Sequence, residues 1–222
     1  MNARMEPKRV TLFAGHYGSG KTNLAVNYAM ALHDAGLETV IADLDIVNPY
    51  FRTKDREKEL QEKGIRLICS AYANTNLDAP ALPAEMYDVV NDRDTYAVLD
   101  IGGDDRGAYA LGRYTPAILE ENNYEMIFVV NFYRPLTRTA QEALEVMREI
   151  EAAGKIPFTA IAHNSNLGNQ TTVADLLAVE AQLAELSALS GLPVILTGVE
   201  QSLAKEASEQ IPNVFSLQLQ KK

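Results

Sequence analysis

The run Gly15-His16-Tyr17-Gly18-Ser19-Gly20-Lys21-Thr22 restricts this chain more than any other feature, because it fits G-x-x-x-x-G-K-[ST]. It follows a short apolar run, residues 9–14, and opens a helix-forming stretch, the strand–loop–helix setting in which the pattern acts. Gly15, Gly18 and Gly20 let the backbone curl until successive N–H groups converge on phosphate oxygens, and the positive end of the following helix adds its dipole. Lys21 brings charge to the terminal phosphates, and the Thr22 hydroxyl is placed to ligate Mg2+. A bland reading, a glycine turn that merely joins strand to helix, explains neither the lysine nor the hydroxyl.

Such a loop needs a sheet behind it, and the rest of the chain reads accordingly. Nearly uninterrupted apolar runs recur at residues 9–14, 39–42, 65–69, 96–99, 126–130, 158–162 and 194–196, as strands buried on both faces require. Between them, residues 21–35, 56–63, 84–91, 109–121, 137–153 and 173–190 carry helical spacing or helix-forming composition. Residues 215–219 read as one more short strand. The alternation predicts an α/β fold with a mostly parallel sheet of about seven or eight strands and helices on both faces. With 222 residues, one core suffices, so residues 1–222 are expected to form a single phosphate-loop nucleotide-binding domain. In the first helix Leu24, Tyr28, Ala31 or Leu32, and Ala35 share a stripe, and Gly36 stands where a left-handed cap is wanted; Gly154 repeats the arrangement. The charged segment 54–63 reads as a solvated helix, since positions 54/57, 55/58 and 56/59 pair opposite signs.

Charge narrows the partners. Thirty acidic against twenty basic side chains give a net charge of −10, the wrong sign for constitutive attraction to nucleic acid or anionic lipid. The basic doublet Lys221-Lys222 is too short to reverse this. One cysteine, Cys69, excludes an internal disulfide and a paired-cysteine metal site, and no apolar run approaches the ~20 residues that span a bilayer. The expected location is the cytoplasm.

Phosphate chemistry also needs carboxylates at the carboxyl ends of neighbouring strands. In Ala42-Asp43-Leu44-Asp45 the strand period of two puts both aspartates on one face. In Leu99-Asp100-Ile101-Gly102-Gly103 one aspartate ends an apolar strand ahead of a flexible glycine pair, so Asp100 reads as the carboxylate that holds Mg2+.

These blocks together resemble the MinD/ParA family of P-loop ATPases, the wider CobQ/CobB/MinD/ParA nucleotide-binding group. The resemblance rests on the loop followed by Asn23 and Asn27 in its helix, on Asp43-x-Asp45, and on Asp100-x-x-Gly103 as the start of a switch. It implies ATP and Mg2+ as cofactors, with Gly15, His16, Tyr17, Gly18, Ser19, Gly20, Lys21, Thr22 and Asn23 around the phosphates and Thr22 and Asp100 at the metal. Asp45 would orient the attacking water beside Lys21, and Gly103 would sense the γ-phosphate. Asn164 falls where the family contacts adenine, and the guanine-reading N-K-x-D pattern is broken by Ser165 and Leu167. Residues 199–207 would form the other wall of the base pocket. The family's signature lysine is replaced by His16, either a weak substitute near neutral pKa or a residue tolerated in an exposed loop. The resemblance implies ATP or ADP as ligand, slow ATP hydrolysis, a protein partner and an ATP-linked homodimer that the loss of this lysine weakens. Two alternatives stay open: a metabolic enzyme, either a small-molecule kinase or a ligase similar to dethiobiotin and cobyrinate synthetases, and a scaffold that binds nucleotide without turnover. Residues 48–52, with Tyr50 and Phe51, stand where a first switch segment should lie.

Overall fold

The apolar runs form eight strands: β1 (Val10–Ala14), β2 (Thr39–Leu44), β3 (Arg66–Cys69), β4 (Tyr96–Ile101), β5 (Tyr124–Val130), β6 (Ala160–His163), β7 (Val194–Glu200) and β8 (Val214–Leu217). They lie in the order β3-β2-β4-β1-β5-β6-β7-β8, and every pairing among the described residues is parallel. The computed structural model describes residues 7–45, 53–69, 85–103 and 105–219. The segment 48–52, Asp104 and the terminal lysines lie outside the described residues.

Parallel strands need crossovers, and helices supply them. The helices are α1 (Lys21–Asp34), α2 (Glu57–Glu62), α3 (Glu85–Asn91), α4 (Asp105–Leu111), α5 (Thr115–Glu121), α6 (Ala140–Gly154), α7 (Val173–Ala178), α8 (Glu180–Ser190) and α9 (Ala204–Ala207). The strand period of two divides the core. Val10, Leu12, Ala14, Ala97, Leu99, Phe128 and Val130 meet Ala108 of α4, Met147 of α6 and Leu186 of α8 on one face. Phe13, Ile41, Val98, Ile127 and Val129 meet Leu24 and Val26 of α1 and Leu60 of α2 on the other. A smaller cluster joins α7 and α9 to Val199 of β7.

Several boundaries differ from the sequence expectation. The stretch 109–121 is two helices, interrupted at Gly112-Arg113-Tyr114, and Tyr114 is buried against Tyr87 with ring centroids 5.1 Å apart. The stretch 173–190 breaks at Val179, because the residues before it pack into the small cluster whereas Val179 and Leu186 belong to the main core. Helix α6 starts at Ala140, not 137, because Thr139 and Glu142 close a reciprocal capping box. Its left-handed cap is Lys155, at φ 54°, rather than Gly154. Gly36 does adopt the left-handed cap, at φ 83°. Strands β4 and β7 run longer than the apolar runs, and Asp100 sits one residue before the end of β4 rather than at it.

The charged segment is less solvated than its composition implies. Arg56 is buried, forks onto Glu59 with contacts of 2.6 and 2.7 Å, and donates to the Gln218 carbonyl at 3.0 Å. Helix α2 is thereby tied to the chain beyond β8. At the amino ends of the strands, Arg9 plays a similar part. Its guanidinium donates to the carbonyls of Val89, Val90, Asp92 and Thr95 and pairs with Glu121, which closes the end of α3 and fixes α5.

Candidate nucleotide-binding site

All sequence-derived site residues that the structure describes gather at the carboxyl edge of the sheet, around β1. The loop from Gly15 to Gly20 leaves β1 and enters α1 at Lys21. Glycine is required where it stands: a Cβ on Gly15 would lie 2.3 Å from the Val129 carbonyl oxygen, and one on Gly20 would lie 2.2 Å from Asn164 Nδ2. Gly18 and Gly20 have φ of 77° and 87°, in the left-handed region. Lys21 is buried and its Nζ donates to the His16 carbonyl at 3.4 Å, so the ammonium folds back over the loop. His16 is directed to its own loop, with Nδ1 3.1 Å from the Tyr17 carbonyl oxygen. Tyr17 is exposed and Ser19 is buried.

Parallel register brings the carboxylates alongside. Asp100 pairs with Phe13 of β1 and with Asp43 of β2, all on the face covered by α1. Burial pushes the Asp100 carboxyl up to about 6; Lys21 opposes that most, the Thr22 hydroxyl next, Asp45 adds to it, and Thr53 opposes it again. Thr53 Oγ1 donates to Asp100 Oδ2 at 3.1 Å, whereas Asp100 Oδ1 is buried without a hydrogen-bond partner among the described residues. Asp43 Oδ1 accepts from the Asp45 amide at 3.0 Å, so the first aspartate shapes the turn that presents the second. Gly103 is pressed onto the loop: a Cβ there would lie 2.8 Å from the Tyr17 nitrogen, 2.9 Å from Lys21 Nζ and 3.0 Å from the Gly15 carbonyl oxygen.

On the other side of β1, Asn164 is buried at the end of β6 and donates through Nδ2 to the Ser19 carbonyl at 2.6 Å. Asn23 Oδ1, in the first turn of α1, is buried without a hydrogen-bond partner among the described residues. Within residues 199–207, Val199 and Ala207 are turned into the small core cluster, leaving Gln201 and Ser202 exposed between them. Two residues at this edge escaped the sequence reading. Thr53 lies just past the expected switch segment and carries no motif. Arg134, in the β5–α6 connection, donates through Nε to the Gly18 carbonyl at 3.1 Å.

The model of the CobQ/CobB/MinD/ParA nucleotide binding domain matches residues 10–173, from β1 through the start of α7. The chain belongs to this family. No curated protein matches the chain. Among solved structures, the signal recognition particle receptor FtsY from Elizabethkingia anophelis is 20% identical with a TM-score of 0.57, over 87% of this chain and 59% of that one. The cell division protein FtsY from Thermotoga maritima is 20% identical with a TM-score of 0.57, over 88% of this chain and 63% of that one. The 54 kDa signal recognition particle protein from Aeropyrum pernix, solved in complex with GDP, is 16% identical with a TM-score of 0.53, over 87% of this chain and 42% of that one. At these identities the likeness is one of fold, and this chain spans less than two thirds of each of those proteins. No helix among the described residues is long and apolar enough to cross a membrane.

The family implies a nucleotide with Mg2+, and the residues present fit both. No group of three or more acidic, histidine or cysteine side chains among the described residues could hold a metal by itself. A magnesium ion here would share its ligands with phosphate oxygens, beside the Thr22 hydroxyl and the orphaned Asp100 Oδ1.

Proposed function

We propose that this domain binds Mg·ATP, hydrolyses it slowly and acts as a nucleotide-dependent switch for a protein partner in the cytoplasm. The observation that carries the reading is the convergence of a buried, partly unsatisfied Asp100 and a side-chain-free Gly103 on the loop that holds Lys21. Lys21 would neutralise the β/γ-phosphates, and the backbone N–H groups of residues 15–22 would receive their oxygens. Mg2+, when bound beside Thr22 and Asp100, supplies charge that offsets the phosphate oxygens. Asp45, at the turn after β2, would orient the attacking water. Gly103, with no Cβ between its backbone and the loop, is free to follow the terminal phosphate as it comes and goes, which is what a switch segment must do. Asn23 and Asn164 would line the nucleotide, with adenine preferred because the residues after Asn164 lack the guanine-reading pattern.

His16 favours a second reading. Its ring stays on its own loop, so position 16 supplies no partner-reaching cation, as in the kinases and synthetase-like ligases of this fold class. ATP is then expected to shift a monomer–homodimer balance only modestly. A metabolite that accelerates turnover would support the enzyme, and a protein that does so would support the switch.

Titration decides the first step. ADP and ATP are expected to bind more tightly than GDP and GTP, and Lys21→Ala should weaken Mg·ATP by at least ~2 kcal/mol, the scale of one charge-assisted contact. Equal affinity for guanine nucleotides would overturn the base assignment, and undiminished binding by the lysine variant would overturn the loop assignment.

A further inference from the structure

The order of the strands divides the site into two sides. On one side of β1 lie β4 and β2, with Asp100, Gly103 and Asp45. On the other lie β5 and β6, whose ends carry Arg134 and Asn164. Gly103 fills the space against the loop on the first side. A nucleotide whose phosphates sit in the loop therefore sends its nucleoside out over the second side.

The connection that carries Arg134 there is wired in place. Asn131 Oδ1 accepts from the amides of Tyr133 at 3.0 Å and Asn166 at 3.3 Å, and Thr137 Oγ1 donates back to the Asn131 carbonyl at 2.7 Å. The Phe132 amide donates to Ser165 Oγ at 2.9 Å, and Tyr133 Oη donates to the Asp175 carbonyl at 2.7 Å. Next to Pro135, Leu136 holds φ 64°, a conformation that a leucine adopts only when its surroundings impose it. The Arg134 side chain runs over Gly18, with Nε 3.5 Å from where a Cβ would be, and Nε engages the Gly18 carbonyl. Among the described residues its terminal nitrogens make no ion pair. A half-exposed arginine held through Nε at the rim of a phosphate loop, in a chain of net charge −10, calls for a ligand.

We propose that the Arg134 guanidinium stacks on the nucleobase, serving as the floor of the base pocket in a single chain. This inference rests on the nucleotide-binding reading above. A guanidinium plane stacks on aromatic faces in a way an ammonium does not, and every base offers such a face. Nε is already held by Gly18, so the plane is oriented before the ligand arrives and little side-chain freedom is lost on binding.

The test is ADP affinity, by calorimetry, for the wild-type chain, Arg134→Lys and Arg134→Ala, with thermal midpoints in parallel. Both variants are expected to bind ADP at least ~fivefold more weakly, the lower end of what one stacked base contributes. A lysine variant that binds like wild type while the alanine variant is weakened would show that Arg134 acts by charge alone, and would overturn the stacking. Two variants that both match wild type would overturn any role for Arg134. A wild-type chain that binds no nucleotide would defeat the proposed function itself, an outcome separate from these.

Discussion

Replacing Asp100 with asparagine isolates what the buried charge costs the empty protein. Asp100 is 1% exposed, and burial holds its carboxyl at about 6 against an ordinary 3.8. At ~1.36 kcal/mol per pH unit, that difference places up to ~3 kcal/mol on the ionised form. The sign follows from proton linkage. The folded state keeps this proton more tightly than the unfolded chain, so folding is favoured below pH 4, loses stability as pH rises from about 4 to 6, and stays reduced above. Asp100→Asn imitates the protonated carboxyl, and Thr53 can still donate to its oxygen. Without nucleotide or magnesium, the variant should therefore be up to ~3 kcal/mol more stable than wild type at pH 7.5, or roughly 6–12 °C in Tm for a domain of this size, and only ~1 kcal/mol more stable at pH 4.5. Urea denaturation at the two pH values reads both numbers. With Mg·ATP the order should reverse, because the wild type gains binding free energy that the variant lacks. A variant no more stable than wild type at pH 7.5, or a gap as large at pH 4.5 as at pH 7.5, would refute the buried-charge argument.

Asp45→Ala should leave ATP affinity within about threefold while lowering turnover at least ~10²-fold; the opposite pattern in a binding and turnover assay would move Asp45 from chemistry to binding. Arg9→Met strands the Glu121 carboxylate, 8% exposed, and takes the donor from four carbonyls; it should cost ~3–5 kcal/mol, of which the Arg9→Met/Glu121→Gln pair recovers only the carboxylate's part when both are unfolded in urea. His163, buried in β6 with its imidazole pushed down to about 4 by burial, resists protonation when folded, so it drains stability as pH falls from 6.5 through 4. Removing it in His163→Gln should flatten the acid limb of a stability–pH curve, whereas Asp100→Asn should steepen it; equal slopes would dismiss the His163 assignment.

The sheet was legible because β-branched and apolar residues crowd every strand, and burial on both faces leaves no polar alternation to confuse the reading. The loop was legible because phosphate geometry tolerates few residues at Gly15, Gly18, Gly20, Lys21 and Thr22. What escaped was set by packing rather than local chemistry. Nothing around Val179 breaks a helix; the bend there arises because the two halves of 173–190 bury against different clusters. Lys155 and Leu136 take left-handed backbones that glycine or asparagine would have announced. Thr53 and Arg134 reach the site only because parallel order folds remote connections onto one edge, and no short window of sequence contains both a connection and its neighbour. Thr139 and Glu142 are different: the capping box was there to be read, and starting the helix at Thr137 overlooked it.

The central place of β1 governs when this domain can come into being. Its partners are β4, where Val10 meets Ala97, and β5, where Val10 meets Tyr124. At ~5–20 residues per second of synthesis, the glycine loop waits on the order of ten seconds for the strands that will support it. Asn164, which grips Ser19, arrives later still. Until then the loop is a segment of unsupported polymer with nothing to hold its amides in a ring, and long-range pairing of this kind is slow to repay the entropy of closure. The nascent chain is thus unable to recruit a nucleotide as an early template, and whatever the ligand contributes to folding must come at the end, as a lock on a sheet already assembled.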